Sequence, residues 1–322
     1  MATDPLSDLL KTVRLTGAVF FEIAAQDPWA VASPARELIL PKILPGADHL
    51  IAYHVVTVGR CFAKVVGGKP ISLEAGEVIV FTNGQPHIMS SSPDMRADPP
   101  MADVIEVAAA GEKPFCINYG DGAASTRLVC GYLACDARPF NPLLENLPPI
   151  ITAGAARNNG TSRIADFIRF AVTEAADKHA GSETVLTKLS ELMFIDVVRG
   201  YLETLPPAQS GWLAGLRDPL IGKALSLLHG KPAHDWTIDE LAKRAGTSRS
   251  ILAERFTDLV GLPLMHYLAK WRMQIASELL TGSNANIATI AAQVGYDSEA
   301  AFSRAFKKMI GVAPSSWRQR GS

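Results

Sequence analysis

The spacing of apolar residues divides the chain into two regions with different secondary structure. From about Val13 to Leu133, short apolar runs rich in Val, Ile and aromatic residues alternate with Gly, Pro and Asn, a pattern typical of closely spaced strands. Gly67 and Gly68 between two such runs favour a hairpin. Together these runs predict an antiparallel barrel or sandwich. The clearest of them are residues 53–58, 61–66, 78–82 and 128–133.

After Pro148 and Pro149 the apolar spacing becomes helical, with apolar residues three and four positions apart in residues 162–176 and 182–205. The stripe on residues 182–205 fits two roles, packing on the barrel or pairing with its copy in a dimer. Its apolar residues are Val185, Leu189, Leu192, Met193 and Val197. Residues 206–211 end this helix as a linker, and the pattern is helical again from Asp218 onward. The predicted domains are residues 1–150, a helical region at 151–214, and an all-α domain at 215–322.

Residues 236–256 have the features of a helix-turn-helix. Thr237 and Glu240 form a capping box, Ala242 is small enough for a close helix crossing, Gly246 suits the turn, and Ser248 can cap the second helix. The residues expected to face inward are Ile238, Leu241, Ala245, Ile251, Leu252 and Phe256.

The same features return in residues 287–306, with Ala291 at the crossing, Gly295 in the turn and Asp297 or Ser298 as the cap. The residues expected to face inward there are Ile290, Val294, Phe302 and Phe306. Residues 264–280 between the two units have the pattern of one amphipathic helix, which at about 1.5 Å per residue holds the units about 25 Å apart. This separation lets the second helix of each unit enter successive major-groove faces of one bent duplex.

These units, and the segments WRMQIASELL and IATIAAQVGYDSEAAFSRAFKKMIGVAPSSWR, resemble the AraC/XylS family of bacterial regulators over residues 215–322. The resemblance implies sequence-specific binding to promoter DNA. It also implies base-facing positions in both second helices, namely Ser250, Ala253 and Glu254 in the first and Glu299, Ala300, Ser303 and Arg304 in the second.

The side chains at these positions differ in what they can recognise. The Arg304 guanidinium can donate to O6 and N7 of guanine together, whereas Ala253 and Ala300 offer only contact with a thymine methyl. Glu254 and Glu299 either accept from cytosine N4 or remain solvated. Nearby cations fit phosphate contacts or ordinary surface charge, and these are Arg249, Arg255, Arg272, Lys307 and Lys308.

The charge distribution supports this assignment. The net charge of −1 combines +5 in residues 215–322 (14 Lys and Arg, 9 Asp and Glu) with −6 in the remainder (17 and 23). No apolar run has the roughly 18–20 residues needed to span a bilayer, and the first residues lack a secretion signal. The four cysteines contain no C-x-x-C pair. These features predict a cytoplasmic protein with reduced thiols and no membrane partner.

In the N-terminal region, residues 76–87 (GEVIVFTNGQPH) resemble the second cupin signature, with Thr82 in place of its proline. The H-x-H pair and the following Glu of the first signature are missing, because Val56 lies two residues after His54. Two interpretations of His54 and His87 remain open. They hold a metal ion, with Cys61 or Cys130 as further ligands, or they are buried histidines or hydrogen-bond partners of a ligand. No metal or other cofactor is assigned with the sequence alone.

In AraC-type regulators the cupin-like domain is a sensor, so the resemblance implies a pocket for a small-molecule effector. The candidate lining residues are Tyr53, His54, Phe62, Phe81, His87 and Tyr132. The resemblance also implies a homodimer, and contact with RNA polymerase if the protein is an activator. The predicted fold is therefore α+β with two domains: a cupin-like antiparallel β-barrel with flanking helices, and a C-terminal all-α double helix-turn-helix module.

Two alternatives belong to other functional classes. A cupin-type metal-dependent enzyme with a DNA-binding appendage is disfavoured by the missing H-x-H and Glu, and no catalytic residue is predicted. An architectural DNA-binding protein would show no sequence preference. The effector, the operator and the direction of regulation stay open at this level.

Overall fold

A computed structural model describes residues 4–12, 15–43, 47, 49–97, 115–135, 139–154, 163–177, 179–206 and 210–319. The chain forms two compact units, each assembled from separate stretches. The strand-rich unit consists of Leu15–Asp136 and Leu147–Thr204, and the helical unit of Met1–Arg14, Ala137–Asn146 and Leu205–Ser322.

This division differs from the predicted domains, which were continuous stretches of sequence, at both the first and the second predicted boundary. The chain start and the stretch Ala137–Asn146 fall within predicted domain 1–150, yet they belong to the helical unit. The predicted separate region at 151–214 is instead mostly part of the strand-rich unit, up to Thr204. Such exchange of short segments leaves no compositional signal, because an apolar segment has the same sequence pattern whichever core it joins.

The described residues of the strand-rich unit include ten strands. These are β1 (Leu15–Ala25), β2 (Ala30–Ser33), β3 (His49–Val58), β4 (Arg60–Val65), β5 (Ile71–Glu74), β6 (Glu77–Phe81), β7 (His87–Ser90), β8 (Phe115–Tyr119), β9 (Thr126–Cys135) and β10 (Ile150–Gly154). All four sequence-predicted strands are present, as parts of β3, β4, β6 and β9, although the predictions at 61–66 and 78–82 each extend one residue too far. Strands β4 and β5 form the hairpin expected around Gly67 and Gly68.

The strands form two sheets rather than the single closed barrel named among the predictions. One sheet has the order β10-β6-β3-β9-β1-β8 and the other the order β2-β7-β4-β5. Every pair is antiparallel except β1 with β8, which is parallel. A core that includes Ile79, Phe81, Cys61 and Met89 lies between the sheets, so the architecture is cupin-like without closing into one hydrogen-bonded cylinder.

Thirteen helices occur in the described ranges. They are α1 (Pro5–Thr12), α2 (Arg36–Ile43), α3 (Pro142–Asn146), α4 (Ile164–Asp177), α5 (Ser182–Thr204), α6 (Trp212–Arg217), α7 (Pro219–Gly230), α8 (Ile238–Ala245), α9 (Arg249–Val260), α10 (Leu264–Gly282), α11 (Ile287–Gln293), α12 (Glu299–Ile310) and α13 (Pro314–Arg318). Over these ranges, no helix has both the length and the apolar character needed to cross a membrane.

Helices α4 and α5 belong to the strand-rich unit, and α5 packs on β1, β9 and β10 of the six-stranded sheet. Its buried residues include Leu186, Met193 and Val197, whereas Leu192 of the predicted stripe is 50% exposed. The apolar stripe therefore packs on the sheet of its own chain, which was one of its two predicted roles.

The helical unit contains the remaining helices except α2. Helix α1 packs on α7 and α10, where Leu9 is completely buried, and α3 packs on α6. Neither α1 nor α3 was predicted from the sequence, because each is too short for apolar periodicity to be distinctive.

Candidate nucleic-acid interface and interior of the strand-rich unit

The first helix-turn-helix consists of α8 and α9, and its local geometry follows from its capping residues. The Thr237 hydroxyl accepts from the Glu240 backbone N–H at 3.1 Å, which satisfies one orphan donor at the start of α8. Gly246 ends α8 in the left-handed conformation at φ +86°, and the Ser248 hydroxyl caps α9 through the Ile251 N–H at 3.3 Å. The Glu240 carboxylate bonds to His234 and Arg244, so the predicted capping box is present in one direction only among the described contacts.

Of the residues predicted to face inward, Leu241, Leu252 and Phe256 are buried, and Ala242 is buried at the predicted helix crossing. Ile238 and Ala245 are half-buried. Ile251 is the exception, because 53% of its surface is exposed. The inward stripe of α9 is Leu252, Phe256 and Val260, at four-residue spacing, and a residue one position earlier points about 100° away from it. The prediction that Ile251 faces inward was wrong, and the four-residue spacing was the signal that could have corrected it.

The second helix-turn-helix consists of α11 and α12. Asn286 caps α11, Gly295 takes the turn at φ +82°, and the Ser298 hydroxyl caps α12 through the Ala301 N–H at 3.2 Å. Ser298, rather than Asp297, is thus the cap. The aromatic rings of Phe302, Phe306 and Trp317 pack with the residues predicted to face inward, Ile290 and Val294.

Helices α9 and α12, called the recognition helices below, carry the predicted DNA-contacting residues on their outer surfaces. Ala253 and Ser303 are half-buried, and the others are exposed, namely Arg249, Ser250, Glu254, Arg255, Glu299, Ala300, Arg304, Lys307 and Lys308. Helix α10, with 19 residues, connects the two helix-turn-helix units over about 28 Å.

Two of the predicted phosphate-contacting cations are paired within the chain. Arg255 donates through Nε to Asp218 at 3.0 Å, and its Nη2 also bonds to this carboxylate. Asp218 itself caps α7. Desolvation raises the pKa of its carboxyl, but the bonds from the Ile221 N–H, from Arg255 and from the Leu220 N–H outweigh it and lower the pKa below its ordinary value. Arg249 lies 3.2 Å from Asp239. Arg304, Lys307 and Lys308 have no ion pair within the described part of the chain, so they are the cations most available to DNA.

The structure assigns Arg272 a different environment from the predicted phosphate contact or surface charge. This side chain is half-buried and donates to the backbone carbonyls of Pro232, His234 and Gly295. Its guanidinium therefore bonds to two separate segments of the helical unit rather than extending into solvent.

In the strand-rich unit, the predicted lining residues lie on different faces. His54, Phe81, His87 and Tyr132 are buried between the two sheets, where the Phe81 and His87 rings stack at 3.7 Å between centroids. Tyr53 alternates with His54 along β3 and lies on the opposite face of the sheet, where its hydroxyl is 2.7 Å from that of Ser190 on α5. Phe62 is half-buried and alternates with the core residues Cys61 and Ala63.

A continuous hydrogen-bond chain crosses the sandwich from β9 to β7. The His87 Nδ1 lies 2.8 Å from the Gln85 carbonyl oxygen, which can only accept, so this nitrogen carries the proton. His87 Nε2 then accepts from His54 Nε2–H at 2.7 Å, and His54 Nδ1 accepts from the Cys130 thiol, also at 2.7 Å. Every member of the Cys130–His54–His87 chain therefore has a partner while uncharged.

Burial keeps this chain neutral. Desolvation lowers the pKa of His87 to about 4 and, with the nearby His87, lowers the pKa of His54 well below its ordinary value. Desolvation also raises the pKa of the Cys130 thiol well above its ordinary value, so the thiolate that would react or bind metal is disfavoured.

The donor geometry does not fit the metal site that the cupin resemblance raised. Two nitrogens bound to one tetrahedral ion at 2.0–2.1 Å lie about 3.3 Å apart, whereas His54 Nε2 and His87 Nε2 are 2.7 Å apart. Cys130 meets the opposite nitrogen of His54, so its sulfur cannot join the same ion. Among the described residues, no group of three or more His, Cys, Asp or Glu side chains is arranged to hold a metal.

A small cavity of about 20 Å³ lies on the other face of the six-stranded sheet, beneath α4 and α5. Its lining is apolar apart from the Tyr53 and Ser190 hydroxyls, and it includes Phe20, Phe167 and Met193. Its volume is enough for about one water molecule, so it is a packing void rather than a ready-made effector pocket.

Comparison with known proteins gives matches to both regions. The profile of a family described as Cupin matches residues 4–203, and one described as Helix-turn-helix domain matches residues 241–320. An AraC-like transcription regulator of Streptomyces antibioticus is 35% identical over 322 residues and covers 98% of both chains. The transcriptional regulator AlkR of Acinetobacter baylyi is 27% identical, covering 98% of this chain and 99% of its own.

Among solved structures, the C-terminal domain of AraT, a response regulator from Geobacillus stearothermophilus, is similar to part of the chain. It is 32% identical and covers 31% of this chain and 84% of its own, with a TM-score of 0.30.

Proposed function

This chain belongs to the AraC-like family of transcription regulators, with a cupin N-terminal region, and we propose that it controls promoter occupancy in response to a small-molecule effector. Membership in a family of regulators makes it a DNA-binding transcription regulator rather than a cupin enzyme. The observation that carries the DNA-binding assignment is the pair of capped recognition helices with polar, outward-facing residues. As a regulator of bacterial type, it would act in the cytoplasm, where promoter DNA lies.

Specific recognition is assigned mainly to the second recognition helix. Arg304 is exposed on α12 and has the fork of donors that matches guanine O6 and N7. Lys307 and Lys308, one turn further along, are suited to phosphate contacts that position the helix. The first recognition helix offers Ser250 and Glu254, and the exposed Ile251 adds an apolar surface for a thymine methyl.

Replacement of Arg304 tests this assignment. Arg304→Ala should weaken binding to a duplex selected by the wild-type protein about tenfold to hundredfold, the discrimination that one bidentate pair provides. Binding to unrelated DNA should change little. The measurement is competitive fluorescence anisotropy at fixed salt with both duplexes.

Lys308→Ala is the control for a phosphate contact. It should weaken both kinds of binding alike and reduce the slope of log K against log salt by about one. If Arg304→Ala also weakened both equally, Arg304 would contact phosphate only, and base readout by Arg304 would be refuted.

Effector sensing is assigned to the strand-rich unit. Its support is the Cys130–His54–His87 chain, because a few polar groups in an otherwise apolar interior are what small-molecule sites use for orientation. Phe81 and Tyr132 adjoin the chain in the same core. Since the nitrogens bond to each other, we assign the site to hydrogen bonding rather than to a metal, and metal analysis of the purified protein tests this.

Two partners follow from the family and remain part of the proposal. A homodimer would double the phosphate contacts and read repeated half-sites, and Phe170, Val172 and Leu192 are exposed apolar residues of α4 and α5 available for it. Light scattering of the purified chain measures this directly. If the protein is an activator, RNA polymerase is a further partner.

A further inference from the structure

Arg272, near the middle of helix α10, joins the two helix-turn-helix units through backbone carbonyls. Its Nε donates to Pro232 at 2.8 Å and its Nη2 to His234 at 2.9 Å, both in the loop just before α8. Its Nη1 donates to Gly295 at 3.2 Å, in the turn between α11 and α12. These three hydrogen bonds, called the Arg272 bridge below, hold the loop before the first helix-turn-helix unit against the turn of the second.

The same place shows a close backbone approach. A Cβ atom on Gly295 would lie 2.7 Å from the carbonyl oxygen of Ala233 and 2.9 Å from its Cα, closer than real Cβ contacts. The corresponding turn residue of the first unit, Gly246, has nearly the same φ, yet a Cβ there would meet nothing within 4 Å. Gly295 is therefore required both by its backbone conformation and by contact between the units, whereas Gly246 is required by conformation alone.

The chemistry of the bridge is specific to arginine. Three carbonyls in different directions match the planar fork of a guanidinium, whereas a lysine ammonium is a point charge on a flexible stem. Asp235, Asp297 and Tyr296 are near enough to act on its charge, and the Tyr296 ring centroid is 5.9 Å from its Cζ. Within the described residues Arg272 forms no ion pair, so its donors are committed to the bridge.

We propose that the Arg272 bridge and the Gly295–Ala233 contact fix the distance and angle between the recognition helices, and so determine which spacing of DNA half-elements the protein selects. This rests on the proposed function, since it concerns how both helices meet one duplex. One added base pair rotates the second half-element by about 34–36° and shifts it by about 3.4 Å. A rigid pair of units discriminates strongly against such a site, whereas units joined by α10 alone adapt to it.

Arg272 is therefore a positioning residue that acts through the two units and does not touch DNA. Its replacement should leave each recognition helix able to bind its own half-element. What should change is the preference among sites that differ only in spacing.

The experiment begins with a duplex selected by the full-length wild-type protein from random DNA. Variants of this duplex carry one or two base pairs added or removed between the half-elements, and a further duplex retains only the second half-element. Competition binding then compares wild type with Arg272→Lys and Gly295→Asn. Asn tolerates a positive φ, but its Cβ would press on the Ala233 backbone and, at 2.9 Å, on Arg272 Nη2. This variant therefore disturbs the close contact and the bridge together while the arginine itself stays in place.

For both variants, the ratio of the affinity for the original spacing to the affinity for an altered spacing should be at least fivefold lower than for the wild type. Their affinity for the single half-element should change less than twofold. Gly246→Asn, the matched control, should retain wild-type discrimination, because its Cβ meets no neighbour. Circular dichroism melting identifies a variant that fails to fold, and the other variant then decides the outcome.

Undiminished spacing discrimination in the folded variants would overturn the proposal. So would an equal loss on the single half-element, which would make Arg272 a phosphate contact. If the wild-type protein enriched no sequence at all, the proposed function would itself fail. That result differs from the one that overturns only the role of the bridge, in which the wild-type protein selects a spacing and the variants select it equally well.

Discussion

Buried histidines occur in both units, and each is held neutral by its surroundings. In the helical unit, the Tyr267 hydroxyl accepts from Trp212 Nε1 at 2.8 Å and uses its own proton to donate to His229 Nε2 at 2.7 Å. The Trp271 ring stacks on His229 at 4.1 Å. Desolvation lowers the pKa of His229 to about 3, so this imidazole contributes to folding only in its neutral form.

The sign of the resulting pH dependence follows from linkage. An unfolded histidine has a pKa near 6.5, so below this pH the unfolded state binds a proton that the folded state excludes. Because of His229, we expect the free energy of unfolding of the helical unit to fall by about 1.4 kcal/mol for each pH unit of acidification. This loss begins at about pH 6.5 and continues towards the folded pKa near 3. Urea unfolding followed by tryptophan fluorescence between pH 7.5 and 5 measures this slope.

His229→Gln provides the comparison, because glutamine does not titrate and can still bond to Tyr267. The variant should start less stable at pH 7.5 but lose less stability on acidification. Parallel slopes for the two proteins would mean that other groups cause the acid sensitivity.

At the scale of elements, the segment Phe140–Asn146 is the clearest case of a short stretch that stabilises a distant core. The Phe140 N–H donates to Gln274 Oε1 at 3.0 Å, and its ring meets Tyr267 at 5.6 Å and the Lys270 ammonium at 4.6 Å. At the other end, the Trp212 N–H donates to Asn146 Oδ1 at 3.1 Å. The segment follows β9 and precedes β10 in sequence, so two strands of the strand-rich unit are joined covalently to a part of the helical unit.

Phe140→Ala should destabilise the helical unit by about 3–5 kcal/mol, the usual cost of deleting a buried phenyl ring. Phe140 is 2% exposed, and its loss also removes the cation–π contact with Lys270. Tryptophan fluorescence reports mainly this unit, since four of the five tryptophans lie in it, namely Trp212, Trp236, Trp271 and Trp317. Met265→Ala, at a 37% exposed methionine of α10 in the same unit, is the control and should change stability by less than about 0.5 kcal/mol. Equal effects would show that the segment adds nothing to the helical core.

At the scale of the whole molecule, the proposed function requires that effector binding in the strand-rich unit be coupled to DNA binding by the helical unit. An effector can shift DNA affinity only by binding one arrangement of the protein better than another, and the coupling is reciprocal. The covalent connections through the Phe140–Asn146 segment and through Leu205 are two places where the units share backbone.

A thermal-shift screen of small molecules against the full chain should identify compounds that raise the unfolding temperature. For a true effector, affinity measured by calorimetry should change about 5- to 150-fold when the selected duplex is present, and DNA affinity should change by the same factor. A scrambled duplex serves as the control. A compound that binds equally with and without the selected duplex is a passive ligand, and effector control through that site would be refuted.

The sequence by itself determined the local features of this protein. The capping residues Thr237 and Ser248 and the left-handed glycines Gly246 and Gly295 act within one turn of chain, so a single sequence specifies them. The sequence narrowed the cap of α12 to Asp297 or Ser298, and the structure shows that it is Ser298. Strand positions and the inward residues of both helix-turn-helix units followed from periodicity in the same way, with Ile251 as the error. Family resemblance added the base-facing positions, which no contact within the chain tests.

Only the tertiary structure decided the features that join distant residues. The Cys130–His54–His87 chain links β9, β3 and β7, and the Arg272 bridge brings Pro232 within reach of the turn at Gly295. The short helices α1 and α3 belong to the helical unit, although in the sequence they lie next to segments of the strand-rich unit. None of these features could be predicted from the sequence, because a hydrogen bond or an apolar contact depends on where two segments meet in space. The pattern of apolar residues along a chain indicates that a residue is buried, but not which residues it is buried against.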